Sequence, residues 1–223
     1  MRKNNIVLFG GGLHANFCAD LIEKEGRYNI IGIIDSVADV GSDLYGYRVI
    51  GRQEDLISLM DEYNICGGLI TIGDGYNRYR LSEFIKGIVP DFLFVSAIHP
   101  TVSIAKNVEI GVNAILKPNS VLNADAKIGD FCILGTGAQV EHNCTVGNFS
   151  LVSAGSIMGG VVNIGNFTSI TLGVVIFDRV NIGDNVVVGS GSLIDKDIPD
   201  NVLVYGSPGK IIKEIPIGYK FLK

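Results

Sequence analysis

The chain of 223 residues contains no tryptophan, only three histidines and only three methionines. Any histidine acting as a base or a metal ligand must therefore be His14, His99 or His142. The four cysteines, Cys18, Cys66, Cys132 and Cys144, lie far apart with no CxxC pair. Neither a disulfide framework nor a zinc site is indicated, and a reducing cytoplasm is the expected location. No apolar run reaches the roughly 18–20 residues needed to span a bilayer. The opening Met1-Arg2-Lys3-Asn4-Asn5 leads into an apolar stretch that stops at glycine, too short and wrongly flanked for a secretory signal. Positive charge is short as well: 18 Lys and Arg against 23 Asp and Glu leave a net charge of −5. This argues against nucleic acid and anionic membranes, both of which need a basic surface, as main partners.

Glycine, by contrast, is abundant at 29 residues, in a composition that is 47% hydrophobic and rich in Val and Ile. From Ile104, steps of six land on Ile110, Leu116, Leu122, Ile128, Leu134, Val140, Val146, Val152, Met158, Ile164, Ile170, Ile176, Ile182, Val188 and Ile194 without a miss. Two places before these apolar positions stand small or β-branched residues such as Ala114, Ser120, Ala126, Cys132, Ala138, Cys144 and Ser150. One place after them glycine recurs, at 111, 129, 135, 147, 159, 165, 183 and 189. A β-sandwich would not hold a six-residue phase for so long. A triangular parallel coil would, with one flat strand and one corner per hexad and three hexads per turn. The apolar and small residues point inward, and glycine is expected to relieve strain at the corners. The pattern resembles the hexapeptide-repeat acyltransferase family. That resemblance implies a left-handed parallel β-helix and a homotrimer.

Residues 1–98 read differently. Ile6-Val7-Leu8-Phe9 is a buried-type strand, followed by a glycine loop and a helical pattern to about Glu25. Further strands are expected at Ile30–Ile34, Gly68–Ile72 and near Phe92–Ser96, with helices at about residues 53–63 and 76–86. Such alternation predicts a small parallel α/β sheet, a Rossmann-like half-domain. The β-helix should occupy 99–200, and 201–223 a C-terminal tail that looks helical beyond Lys210. Gly10-x-Gly12-x-x-Ala15 fits the dinucleotide fingerprint, with Asp35 where a ribose-binding acid is expected. Glycines there let backbone N–H groups approach a phosphate at a helix N-terminus; a tight strand-to-helix turn is the plainer reading. There is room for half of a full dinucleotide fold, which favours a nucleotide handle over NAD.

This domain order resembles bacterial sugar acyltransferases that N-acetylate nucleotide-linked amino sugars or O-acetylate sialic acid. The motifs that carry it are Phe9-Gly10-Gly11-Gly12-Leu13-His14, Ile34-Asp35, Thr71-Ile72-Gly73-Asp74-Gly75 with Arg78, Val140-Glu141-His142-Asn143-Cys144 and Tyr205-Gly206-Ser207-Pro208-Gly209-Lys210. The resemblance implies a UDP-type sugar on the front domain. Its phosphates would lie against Gly10, Gly12 and His14, its base near Asp35, with further contacts from Gly73, Asp74 and Arg78.

His142 falls two places after the inward Val140, on an outward corner, and stacking by 18 puts Ala124 and Gly160 on either side. Small neighbours leave a hollow beside the imidazole, which suits a general base for attack on a thioester. By resemblance, the backbone N–H of Gly160 is the oxyanion donor. Acetyl-CoA would then run past Gly173 and Gly191 toward Lys210, which a solvated lysine would equally explain. The sequence departs from that family in two places. Asn143 stands where an acid commonly follows the histidine, and Leu151 where a second histidine is common. Glu141 is a substitute acid or a solvated corner. The expected activity is an acetyl-CoA-dependent N-acetyltransferase for surface glycan synthesis; O-acetylation of a sugar or sialic acid, and a non-enzymatic scaffold, are the alternatives. The zinc site of γ-class carbonic anhydrases needs three histidine ligands, which His14, His99 and His142 cannot supply from one region, so no metal is expected.

Overall fold

The computed structural model describes residues 3–221, and the chain divides into two compact units, Met1–Ile98 and His99–Lys223. In the first, β1 (Asn4–Phe9) leads through the glycine loop into α1 (Leu13–Glu25) and then β2 (Tyr28–Ile34). A hairpin, β3 (Asp43–Leu44) and β4 (Tyr47–Gly51), is followed by α2 (Leu56–Tyr63), β5 (Ile65–Ile70), α3 (Gly75–Ile88) and β6 (Leu93–Phe94). The sheet order is β3-β4-β2-β1-β5-β6, parallel except for the hairpin. Apolar runs explain the strands: Ile6 to Phe9, Ile33, Ile34, Leu69 and Ile70 are all buried. The chain moves from β1 to β2 on one side and later to β5 on the other. That reversal opens a crevice beyond the carboxyl end of β1, where open α/β sheets bind ligands.

The second unit is a triangular coil. Its first face stacks Ile115–Leu116, Ile133–Leu134, Leu151–Val152, Ser169–Ile170 and Val187–Val188. A second face carries Ser103–Ile104, Val121–Leu122, Gln139–Val140, Ile157–Met158, Val175–Ile176 and Leu193–Ile194. The third runs from Glu109–Ile110 through Lys127–Ile128, Thr145–Val146 and Asn163–Ile164 to Asn181–Ile182. Each strand is the partner of the one a turn later. The apolar ladder from Leu116 to Ile194 is buried, as are Ala114, Ala126, Ala138 and Cys144 two places before it.

Two expectations about this unit are corrected. The glycines after the apolar positions do not relieve corner strain. The left-handed backbone falls two residues further on, at Asn107, Asn113, Asn119, Asp125, Phe131, Gly137, Asn143 and so on at every sixth residue. What Gly111 and Gly129 provide is closeness: a Cβ there would come within 2.4 and 2.5 Å of Asp130 and Asn148 side-chain oxygens on the next turn. Those oxygens accept backbone N–H groups from the turn below, from Val112 to Asp130 (2.9 Å) and from Asp130 to Asn148 (2.8 Å). The chain beyond Lys210 is also not helical. Val202–Tyr205 extends the first face and Lys210–Glu214 pairs with it antiparallel, while Ile215 packs on Val187 and Leu203.

Candidate active site

A cleft of about 660 Å³ in the first unit gathers Gly10, Gly12 and His14 after β1, Asp35 after β2 and Gly73 after β5. Gly10 has φ +99°, a backbone that side chains seldom adopt, and Thr71 pins it by donating its hydroxyl to the Phe9 and Gly10 carbonyls (2.9 and 2.7 Å). Gly12, Leu13 and His14 at the start of α1 line the cleft, and no side chain caps this end, so its N-terminal dipole meets the cleft. Asp35 is committed to the scaffold. Its carboxylate accepts N–H bonds from Val37 (2.7 Å), Ala38 (2.8 Å) and Gly11 (2.5 Å), three of the roughly four lone-pair sites a carboxylate offers. Burial alone would raise this carboxyl, but the amides of Ala38, Gly11 and Val37, with Arg52 nearby, hold it below the usual aspartate range.

Two residues assigned to the nucleotide sugar are corrected. Asp74 caps α3, accepting the Asn77 N–H at 2.8 Å, and does not line the cleft. Arg78 is fully buried and donates to the carbonyls of Ile72 (3.0 Å) and Gly73 (2.6 Å), so it holds the loop from behind. The residues of α3 that line the cleft are Asn77, Arg80, Leu81 and Phe84. Helical spacing could have found them: Arg78, Ser82 and Ile85 form the buried stripe of α3, and 77, 80, 81 and 84 lie off it.

In the second unit, His142 stands exposed on the corner between the second and third faces. Its Nδ1 lies 3.0 Å from the side-chain oxygen of Asn143. An acceptor there places the proton on Nδ1 and leaves the Nε2 lone pair free. Asn143 occupies one of the periodic left-handed corners, φ +58°, where asparagine is among the few favoured residues. The corner conformation and the orientation of the imidazole thus select the same side chain. Glu141, the other candidate acid, is half-buried, and the hydrogen bond of the His142 ring goes to Asn143.

Nε2 and Cε1 of His142 lie 2.6 and 2.8 Å from where a Cβ of Gly160 would be. The space that a Gly160 side chain would take is occupied by the imidazole itself. The Gly160 N–H donates to Asp178 Oδ1 at 2.7 Å, so the assigned oxyanion donor is engaged in this structure. Sequence reasoning passed over Asp178, although the same 18-residue step that found Gly160 leads to it. Beneath the corner, burial raises the Cys144 thiol and its Sγ donates to the Gly159 carbonyl at 3.0 Å, which makes it a packing residue. Gly173 and Gly191 are left-handed corners on another edge, stacked in the column 137, 155, 173, 191. Lys210 begins the last strand and is exposed. A groove of about 390 Å³ on the third face includes none of the residues assigned to coenzyme A.

Residues 5–85 match the family model described as the PglD N-terminal domain. Nearly the whole chain is similar to a perosamine N-acetyltransferase from Caulobacter crescentus, solved as a histidine-to-asparagine variant in complex with CoA and GDP-perosamine. The identity is 30% and the TM-score 0.87, over 95% of this chain and 98% of that one. The acetyltransferase domain of PglB from Neisseria gonorrhoeae, in complex with acetyl coenzyme A, matches at 27% identity and a TM-score of 0.85, over 95% and 100%. WeeI from Acinetobacter baumannii, at 17% identity and a TM-score of 0.55 over 94% and 100%, shares the fold. No curated protein matches the chain by sequence. The α/β unit followed by hexapeptide coils defines a class of acyltransferase built on a left-handed parallel β-helix. The chain belongs to that class's nucleotide-amino-sugar N-acetyltransferases.

Proposed function

We propose that this protein transfers the acetyl group of acetyl-CoA to the amine of a nucleotide-linked amino sugar, in the cytoplasm and for surface glycan synthesis. The observation that carries the reading is the His142 imidazole, with Nδ1 held by Asn143 and Nε2 directed over Gly160. A sugar ammonium is not nucleophilic until it loses a proton. The bound ammonium first gives one proton to solvent; His142 Nε2 then takes the second proton, shed as the amine nitrogen bonds to the acetyl carbonyl carbon. A backbone N–H stabilises the oxygen that becomes negative there, and Gly160 is the candidate once Asp178 releases it. The carbon–sulfur bond then breaks, the thiolate leaves, and the proton on His142 returns to sulfur. Coenzyme A would run past the corner glycines Gly173 and Gly191 toward Lys210.

The first unit would hold the nucleotide through Gly10, Gly12, His14 and Gly73, with Asn77 and Arg80 replacing Asp74 and Arg78 in that role. A homotrimer is the assembly we infer. The second face exposes Ile157 (38%), Val175 (37%) and Phe177 (52%), an apolar surface of the kind that marks an interface. The test is thiol release from acetyl-CoA with a panel of UDP- and GDP-linked amino sugars and free sialic acids. Turnover of an amino sugar, lost by at least about 10²-fold in His142→Ala, supports the reading. Turnover confined to sialic acids would replace it with O-acetylation. Activity unchanged in His142→Ala would remove the catalytic corner altogether.

A further inference from the structure

We propose that Asp178 is the receptor for the substrate's ammonium group and, in taking it, frees the Gly160 N–H for the thioester oxygen. This rests on the N-acetyltransferase reading and adds a residue to it.

The argument begins with charge. The amino sugar arrives as an ammonium cation, not yet a nucleophile, and must be brought to His142 without an acid at position 143, where Asn143 is neutral. Carboxylates at this corner come from Glu141 and Asp178. Both act electrostatically on the thiol of Cys144 below, so both lie near the corner. Only Asp178 is tied to the residue that His142 lies on: its Oδ1 is 2.7 Å from the Gly160 nitrogen, while Nε2 of His142 is 2.6 Å from the position of a Gly160 Cβ. The imidazole and the carboxylate thus stand against the same glycine. Asp178 itself is exposed, so a solute can reach it.

The scaffold does not require the charge. Elsewhere in the coil the same N–H to Oδ1 bond is accepted by aspartate, as at Asp130 (2.9 Å) and Asp184 (2.6 Å), and equally by asparagine: Asp130 donates to Asn148 at 2.8 Å and Asn148 to Asn166 at 2.9 Å. A neutral amide would therefore suffice for stacking at 178. The carboxylate adds attraction for a cation. An oxyanion cannot share one N–H with a carboxylate, since two anions would then meet at a single donor. Asp178 must leave the Gly160 amide before that amide can stabilise the developing charge. An arriving ammonium supplies the reason to leave: it offers the carboxylate a charge-assisted hydrogen bond, stronger than the one to a neutral amide. Binding of the correct nucleophile and exposure of the donor become one event.

The test is Asp178→Asn, which keeps the stacking bond and removes the charge, with Asp178→Ala as a second variant. Calorimetry would compare two probes on wild type and variants: GDP-perosamine, or the UDP-amino sugar singled out by the turnover assay, and the same nucleotide sugar with hydroxyl in place of amine. We expect the Asn variant to bind the amino sugar about 10–100-fold more weakly, with the hydroxyl compound changed less than about twofold. The same variant should raise KM for the amino sugar and leave KM for acetyl-CoA unmoved. Equal weakening of both probes in the two variants would make Asp178 a scaffold residue, and no change in either would place it outside the site; each overturns the proposal. Wild-type protein that acetylates no amino sugar would instead remove the reading beneath it.

Discussion

His142 rests on Gly160: the three atoms nearest to a Cβ built on this glycine all belong to its imidazole, Nε2 at 2.6 Å, Cε1 at 2.8 Å and Cδ2 at 3.4 Å. Gly160 does not have the left-handed backbone of the neighbouring corners, so its conformation does not require glycine. The missing side chain is what lets the Nε2–Cε1 edge of the ring come this close to the coil. Gly160→Ala should push the imidazole off the corner and lower kcat by at least about 10²-fold, the low end for loss of a general base. The thermal midpoint should stay within a few degrees, because the ring can swing into solvent. A variant that keeps full turnover would show that the position of the ring over Gly160 is immaterial.

Asn143 serves the corner and the imidazole together, and two substitutions separate these roles. Asn143→Gly keeps the left-handed corner and loses the acceptor at Nδ1; Asn143→Ala loses both. Turnover should fall about tenfold in each, as the tautomer and the ring direction become free. Only the alanine variant should also lose about 1–2 kcal/mol of stability, the cost of a left-handed backbone with an ordinary Cβ. Denaturant melts and initial rates on the same preparations give both numbers. Full activity in the glycine variant would leave Asn143 a corner residue alone.

The coil was legible because its period is written in the apolar residues themselves, from Ile104 to Ile194. Stacking by 18 followed, and with it the meeting of His142 and Gly160. What the period did not reveal is which positions carry the left-handed backbone. Asparagine, glycine, phenylalanine and arginine all stand there, from Asn113 and Phe131 to Gly137 and Arg179, so no single residue type marks the corner. The hairpin at Asp43–Gly51 was passed over because its strands are short. Its turn, Tyr45-Gly46, with φ +60° and +81°, holds only one glycine to signal it. The roles of Asp74 and Arg78 were misplaced because a motif gives order along the chain, not the face of a helix.

Asp35 makes the acid stability of the first unit depend on its carboxylate. Burial pushes its pKa up, but hydrogen bonds from Ala38, Gly11 and Val37 prevail and lower it in the folded state. A carboxyl depressed on folding stabilises the fold above its unfolded pKa of about 3.9. That contribution is lost as pH falls through the lower, folded value. Asp35→Asn should therefore flatten the loss of stability below about pH 4. At neutral pH it should cost about 1–3 kcal/mol, since an amide group would face the Gly11 N–H or abandon Val37 and Ala38. Nucleotide binding should weaken with it, because Gly11 belongs to the cleft. Parallel acid titrations of the two proteins that superimpose would show the carboxylate to be idle.

Arg78 and Arg80 sit two residues apart on α3 and should respond in opposite ways. Arg78 is buried with its guanidinium on the Ile72 and Gly73 carbonyls, so Arg78→Met leaves two acceptors unpaired. The expected loss is at least about 2 kcal/mol of stability. Arg80 lines the cleft, where its charge can meet a phosphate. Arg80→Ala should leave the melting temperature in place and weaken nucleotide-sugar binding about tenfold, the scale of one charge-assisted hydrogen bond. Raising ionic strength should weaken wild-type binding more than binding by this variant, since one phosphate attraction has already gone. Calorimetry at two salt concentrations separates the cases. If Arg80→Ala binds normally while a folded Arg78 variant does not, Arg78 and not Arg80 serves the nucleotide.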